Sequence, residues 1–96
     1  MKYRQLGQSG VEVSTLCLGA MMFGGGADAK ESERIVATAR DGGVNFMDTA
    51  DVYSDGESER IVGRAIRGDR DHWMLATKAG NALEGVADSG GLSRRW

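Results

Sequence analysis

The sequence contains no proline, one cysteine and one histidine, and it lacks long apolar runs. Because the single Cys17 has no partner in the chain, an internal disulfide is excluded, and a reducing, cytoplasmic location is predicted. No apolar run approaches the roughly 18 residues that a membrane-spanning helix needs. No apolar segment follows Lys2 and Arg4, so a secretory signal is not predicted either.

The charge balance argues against nucleic acid or a membrane as a partner. Net charge is −2, from 12 basic and 14 acidic residues that are mixed along the chain. Binding to phosphate backbones or anionic lipid requires a basic patch, which this pattern lacks. Apolar residues at 41% and charged residues at 27% are typical of a soluble globular protein. We therefore predict one small domain over residues 1–96, without a metal site.

The 15 glycines divide the chain into short periodic segments. Two extended segments around a polar loop, Gly7–Gly10, predict a β-hairpin. Three apolar runs then alternate with two helical patterns. The predicted elements are strands over 2–6, 11–13, 15–18, 44–47 and 73–77, a helix from the capping residue Asp28 to Gly42, a helix ending near Gly68, and the first turn of a third helix over 92–96, capped by Ser93.

Strands that alternate with helices through short connections predict right-handed βαβ units and a parallel sheet. A doubly wound dinucleotide-binding fold and a (β/α)8 barrel both begin in this way. The run Gly24–Ala29 satisfies the dinucleotide fingerprint, and Asp48 follows about 20 residues later. However, residues 19–23 separate these glycines from the preceding strand, whereas the fingerprint needs them directly after it. The spacing therefore favours a chance match.

Asp48, Tyr53 and Lys78 are the candidate chemical groups. Asp48 and Lys78 each end an apolar run, and Tyr53 lies in the loop after Asp48. In a (β/α)8 barrel the carboxyl ends of the strands carry the active site, so these side chains would share one face. Taken singly, each has a structural explanation: Asp48 could form a turn, Tyr53 could be a half-buried aromatic, and Lys78 could lie at a rim. Their shared face favours a joint role in proton transfer.

The sequence resembles the N-terminal part of the aldo-keto reductase superfamily, closest to its bacterial-type branch. The residues that carry the resemblance are Tyr3–Ser14, Leu16–Gly19, Gly43–Tyr53, Ser58-Glu59, Val62–Ala65 and Leu75–Lys78. The resemblance implies a truncated (β/α)8 TIM barrel, with the hairpin that plugs its base, three parallel strands, two helices and the start of a third.

The resemblance also implies an oxidoreductase that reduces a carbonyl group with NADPH. Its substrate would be a small aldehyde or ketone. Tyr53 would be the general acid, Lys78 would stabilise the phenolate, and Asp48 would orient Lys78. Gly19, Met22 and Asp48 would lie near the nicotinamide end of the cofactor.

One residue of the family's catalytic set has no counterpart here. The family places a histidine at the end of a fourth strand, whereas His72 precedes the third strand and should lie at the opposite face. We therefore expect these residues to be an N-terminal fragment of a reductase, inactive alone, with strand edges that allow self-association. The alternatives are a non-catalytic remnant or interaction module that binds by edge pairing, and the doubly wound module.

Overall fold

A computed structural model describes residues 1–96 and shows five strands and two α-helices. The elements are β1 (Tyr3–Gln5), β2 (Glu12–Ser14), β3 (Leu18–Gly19), α1 (Ala29–Asp41), β4 (Phe46–Asp48), α2 (Glu57–Ala65) and β5 (Met74–Ala76), with 3-10 turns at Tyr53–Gly56 and Arg70–His72. None of the helices has the length and apolar content needed to cross a bilayer.

The predicted hairpin is confirmed. β1 and β2 pair in antiparallel register, with Tyr3 opposite Ser14 and Gln5 opposite Glu12. The amide of Thr15 continues the ladder by donating to the carbonyl of Lys2 at 2.9 Å. Because Thr15 still belongs to the hairpin, β3 begins at Leu18, later than the predicted start at residue 15.

The remaining strands form one parallel sheet in the order β3-β4-β5, as predicted. Leu18 pairs with Met47, and Met47 pairs with Leu75. This order does not separate a barrel from a doubly wound sheet, because the first three strands of both folds are neighbours in sequence order.

The ends of the helices lie at or near the residues that the sequence predicts. The Asp28 carboxylate accepts the amide of Glu31 at 2.8 Å and so caps the first turn of α1. Gly42 forms the other cap of that helix. α2 ends at Ala65, three residues before Gly68. Residues 92–96 form no helical turn, although the Ser93 hydroxyl accepts the Trp96 amide at 3.3 Å, as a helix cap would.

The helices cover only one face of the parallel sheet. The buried core consists of Ala20, Phe23, Val36, Val44, Met47, Ile61, Val62, Ile66 and Trp73. Phe46 and Met74 project from the opposite face, since side chains alternate along a strand, and they border an open apolar cleft of about 350 Å³. The three strands do not close into a barrel, and β3 and β5 leave two edges unpaired.

Asn45 fastens the hairpin to the sheet. Its side-chain oxygen accepts the amide of Ser14 at 2.7 Å, and its side-chain nitrogen donates to the carbonyl of Glu12 at 3.2 Å. The amide of Asn45 in turn donates to the Ser14 hydroxyl at 3.2 Å. Asn45, which directly precedes β4, therefore holds β2, the second strand of the hairpin.

Replacing this side chain should loosen the hairpin locally. We predict that Asn45→Ala speeds hydrogen exchange at the Thr15 amide about 5- to 150-fold, since leaving the amide of the buried Ser14 unpaired costs about 1–3 kcal/mol. The Thr49 amide, which bonds the carbonyl of Ala76, should be unaffected and serves as the internal reference. Exchange is followed by NMR.

Asn81→Ala is the matched control, because Asn81 is exposed and lies outside the hairpin contacts. Equal exchange at Thr15 in the Asn45→Ala chain and in the unaltered chain would contradict the role given to this side chain.

Candidate active site

The parallel register places Gly19, Asp48 and Ala76 side by side at the carboxyl edge of the sheet. Backbone pairing continues beyond the strands. The amide of Thr49 donates to the carbonyl of Ala76 at 2.9 Å, and the amide of Asp51 donates to the carbonyl of Lys78 at 3.1 Å. Lys78 is therefore held beside the loop that follows Asp48.

The Lys78 ammonium is the centre of the candidate site. It donates to both carboxylate oxygens of Asp48, at 2.9 and 2.8 Å, and to the carbonyl of Thr49 at 2.8 Å. It also donates to the phenol oxygen of Tyr53 at 3.2 Å. The structure thus brings together the three residues that the sequence singled out as candidate catalytic groups.

The surroundings of Lys78 favour its charged form. The hydrogen bond to Asp48 raises the pKa of Lys78 above its ordinary value, and the contact with Tyr53 adds to this, while partial desolvation opposes it. Because the folded-state pKa is raised, the stability that this pair contributes is complete below the ordinary pKa of 10.5. It is lost as the pH rises through the folded-state pKa, so the ammonium is retained at neutral pH.

A left-handed turn positions Tyr53. Ser54 and Asp55 have φ values of 50° and 54°, and Gly56 has a φ of 92°. Left-handed geometry is costly for residues other than glycine and persists where the surrounding structure enforces it. The turn leads directly into α2, which begins at Glu57. It leaves the Tyr53 ring with its centroid 4.9 Å from the Lys78 nitrogen.

The three predicted cofactor-binding residues, Gly19, Met22 and Asp48, differ in their surroundings. Gly19 lies beside Asp48, and a Cβ built on it would meet nothing within 4 Å, so the backbone there faces open space. The Asp48 carboxylate is committed to Lys78. Met22 belongs to the loop after β3, where its side chain folds back over Gly26 and its carbonyl accepts the amides of Gly25 and Ala27.

The glycine loop does not form a phosphate cradle. The amide of Gly24 donates to the carbonyl of Ala27 at 2.8 Å, and the amides of Gly25 and Ala27 are also paired within the loop. A pyrophosphate site needs such amides unpaired at the start of the helix. The loop packs instead against the Tyr53 turn and the start of α2, since a Cβ on Gly24 would lie 3.3 Å from Ser54 Cβ and 2.9 Å from Glu57 Cγ. This geometry speaks against the doubly wound alternative.

His72 lies at the opposite end of the sheet, as predicted. It occupies the 3-10 turn before β5, and its Nε2 lies 2.9 Å from the carbonyl oxygen of Val44. The ring meets Trp73 edge-on, with the ring centroids 5.1 Å apart. It therefore takes no part in the candidate site.

Sequence reasoning missed Cys17 and the carbonyl of Thr49. Partial burial raises the pKa of the Cys17 thiol, and the negative charge of Asp48 adds to the effect, so the thiol stays protonated. The period-2 alternation that places Cys17 on the same side as Gly19 was a usable signal. No side-chain pattern could indicate the Thr49 carbonyl, because it is a backbone group.

A small cleft adjoins Tyr53 and Lys78. Its volume is about 210 Å³, and it is open to solvent. The other lining residues are Ala50, Asp51, Val52, Ala79, Gly80 and Asn81. Tyr53 and Lys78 are therefore accessible to a small molecule.

Comparison with known proteins identifies the family. The sequence profile described as the Aldo/keto reductase family matches residues 15–94. The chain belongs to this family. It is 42% identical over 84 residues to the aldo-keto reductase YhdN of Bacillus subtilis, covering 81% of this chain and 25% of that protein. It is 52% identical over 68 residues to an Arabidopsis thaliana protein named probable voltage-gated potassium channel subunit beta, covering 70% and 21%.

A solved structure places the fold within the family's barrel. The holo form of aldo-keto reductase AKR11C1 from Bacillus halodurans matches with a TM-score of 0.82 and 41% identity, over 94% of this chain and 30% of that one. The fold predicted from the sequence is therefore confirmed as part of an aldo-keto reductase (β/α)8 barrel. The chain spans less than a third of the length of these three relatives.

The role of Asp48 beside Lys78 can be tested by titration. We predict that Asp48→Asn lowers the pKa of Lys78, because it removes the largest cause of the upward shift while desolvation remains. The titration is followed through the ¹³Cε signal of Lys78, with Lys2 and Lys30 as internal references.

Asp51→Asn is the matched control, since the Asp51 carboxylate accepts from the Trp96 indole rather than from Lys78. An unchanged Lys78 titration in the Asp48→Asn chain would show that the ion pair does not form in solution.

Proposed function

We propose that these residues form the proton-donating part of an NADPH-dependent aldo-keto reductase, which reduces the carbonyl group of a small aldehyde or ketone to an alcohol. The observation that carries the proposal is the Lys78 ammonium, which bonds Asp48 and Tyr53 together at the carboxyl edge of the sheet. Membership of the family supports it.

The hydrogen-bond direction suits Tyr53 for donation. The phenol oxygen accepts from Lys78 at 3.2 Å, so its own O–H hydrogen remains free to point toward a substrate oxygen. As that proton leaves, the Lys78 charge stabilises the developing phenolate. Asp48 neutralises and orients Lys78 without touching the substrate.

The site fits the nicotinamide end of the cofactor. Bound NADPH would supply the hydride. The open backbone at Gly19 leaves room for a planar ring beside Asp48, and Met22 is the third residue proposed to approach it. The amides of Gly24, Gly25 and Ala27 are paired within the glycine loop, which argues against pyrophosphate binding there. Preference for NADPH over NADH follows the family, and a free Cys17 suits a reducing, cytoplasmic setting.

We expect the 96 residues alone to be inactive. Nothing at the carboxyl edge supplies the histidine that orients the carbonyl in the family, because His72 bonds the carbonyl of Val44 at the other end of the sheet. The chain also covers only 30% of the Bacillus halodurans enzyme.

A hybrid enzyme tests the proposal. Residues 1–96 replace the aligned segment of the Bacillus halodurans reductase, and NADPH oxidation with an aromatic aldehyde is measured. The hybrid should turn over, whereas the 96-residue chain assayed beside it should not. Tyr53→Phe should lower the kcat of the hybrid about 10²- to 10⁴-fold, the range typical for loss of a general acid.

Tyr3→Phe is the matched control, since the Tyr3 hydroxyl donates to the carbonyl of Gly43 in the hairpin region, away from the site. It should leave kcat within about twofold, because Tyr3 is exposed and surface substitutions usually change free energies by no more than about 0.5 kcal/mol. A hybrid whose Tyr53→Phe variant keeps full activity would overturn the assignment of Tyr53 as the acid.

A second candidate is a non-catalytic subunit. The curated relatives from Arabidopsis thaliana and Oryza sativa are both named probable voltage-gated potassium channel subunit beta. In this case the chain would act by pairing with another protein, for example through an open strand edge. A correctly folded hybrid without reductase activity would favour this candidate over the reductase.

The open sheet also favours self-association of the 96-residue chain. Only 15 of 96 residues are buried, and both edges and one face of the parallel sheet lie uncovered. Exposed edges invite pairing between chains, and an inward-pointing lysine on an edge strand opposes it. We predict masses above 10.2 kDa in sedimentation at micromolar concentration, and a shift toward monomer in Met74→Lys.

Leu92→Lys adds the same charge outside the sheet and should not shift the equilibrium, because Leu92 is 93% exposed and belongs to no strand. A monomeric chain with one cooperative thermal transition would contradict the prediction.

A further inference from the structure

Two buried hydroxyl groups lie directly behind the candidate site. The Thr49 Oγ1 atom is 2.8 Å from Ser58 Oγ, and Ser58 Oγ is 2.7 Å from the carbonyl oxygen of Ala20. Ala20, Thr49 and Ser58 are each at most 1% exposed. Such hydroxyls are costly to bury unless they are paired, and here both are paired.

The direction of this hydrogen-bond chain follows from its last member. The carbonyl of Ala20 can only accept, so the single hydrogen of the Ser58 hydroxyl is committed to it. Ser58 can then act toward Thr49 only as an acceptor. The chain therefore runs from the Thr49 hydroxyl through the Ser58 hydroxyl to the Ala20 carbonyl.

This chain of hydrogen bonds joins the three segments on which the site depends: the loop after β3, the loop after β4 and the start of α2. Ala20 begins the loop after β3, and its amide donates to the carbonyl of Asp48 at 2.8 Å. The carbonyl of Thr49 accepts from the Lys78 ammonium at 2.8 Å. Ser58 lies in the first turn of α2, immediately after the turn that carries Tyr53. A shift of any one segment would change the distance between Lys78 and Tyr53.

We propose that Thr49 and Ser58 are positioning residues, whose paired hydroxyls hold the Thr49 carbonyl and the start of α2 where Lys78 can contact Asp48 and Tyr53 together. Neither side chain touches a substrate. An apolar pair of similar volume could fill the same space, but the Ala20 carbonyl would keep only the Phe23 amide as a donor, and the two segments would be free to shift. The kinetic consequence rests on the proposed reductase function, whereas the geometric one does not.

The test compares Thr49→Val with Thr49→Ser in the full chain. Valine keeps the shape of threonine and removes the donor, while serine keeps the donor and loses the methyl group. We expect Thr49→Val to lower the Lys78 titration midpoint by roughly half a pH unit, because the backbone acceptor moves away. Thr49→Ser should keep the titration midpoint of the unaltered chain. The readout is the ¹³Cε signal of Lys78.

Thr38→Val is the control for a general effect of this replacement, since the Thr38 hydroxyl donates to the carbonyl of Arg34 on the exposed side of α1. It should leave Lys78 unchanged. If Thr49→Val does not fold, Thr49→Cys is titrated instead, because its thiol is a weak donor of similar size. A Lys78 titration that is the same in the valine or cysteine variant as in the unaltered chain overturns the proposal.

A kinetic measurement on the hybrid enzyme separates this proposal from the proposed function. In an active protein, Thr49→Val should lower kcat about 10- to 100-fold with KM within about threefold, as expected for misplaced catalytic groups. An inactive protein whose Lys78 titration still responds to Thr49→Val refutes the reductase and supports the positioning. An active protein with unchanged kcat and titration refutes the positioning alone.

Discussion

The parallel register of β3, β4 and β5 is the constraint on which the rest of this structure depends. It sets Gly19, Asp48 and Ala76 at one level and leads the chain on to Lys78. The Lys78 ammonium then bonds the Asp48 carboxylate, the Thr49 carbonyl and the Tyr53 phenol. Slipping β4 by one residue would turn Asp48 toward the helices and bring Met47 out of the core.

The same register explains why one face of the sheet is packed against the helices and the other face is exposed. Met47, Ile61 and Val62 pack together with almost no exposure, so the helical side has a dry core. The opposite side presents Phe46 and Met74 along the strands and Asp48 at their carboxyl end. In the family's barrel this side faces the interior. The residues that meet there are therefore of two kinds, apolar at the base and charged at the edge.

Much of this arrangement could be predicted from local sequence signals. Asp28 with Glu31 specified the start of α1, and the apolar runs that end at Asp48 and Lys78 specified which groups would converge. The start of β3 was misplaced because Thr15 bonds the hairpin, a contact between distant residues. The helical turn predicted over 92–96 does not form, since tertiary contacts such as that of the Trp96 indole with Asp51 outweigh local propensity there. The left-handed conformation of Ser54 had no signal in the sequence. The Thr49–Ser58 pair has no signal in the sequence, because it joins hydroxyls on a loop and a helix.

The most direct test of the account is the crystal structure of the hybrid enzyme with NADP⁺ bound. The account predicts the Lys78 nitrogen within about 3.2 Å of both Asp48 and the Tyr53 oxygen, as a hydrogen bond requires. It also predicts the nicotinamide ring beside Gly19, with room for a carbonyl about 3–3.5 Å from the reacting atoms. A nicotinamide bound away from this edge, or a Lys78 turned from Tyr53, would contradict it.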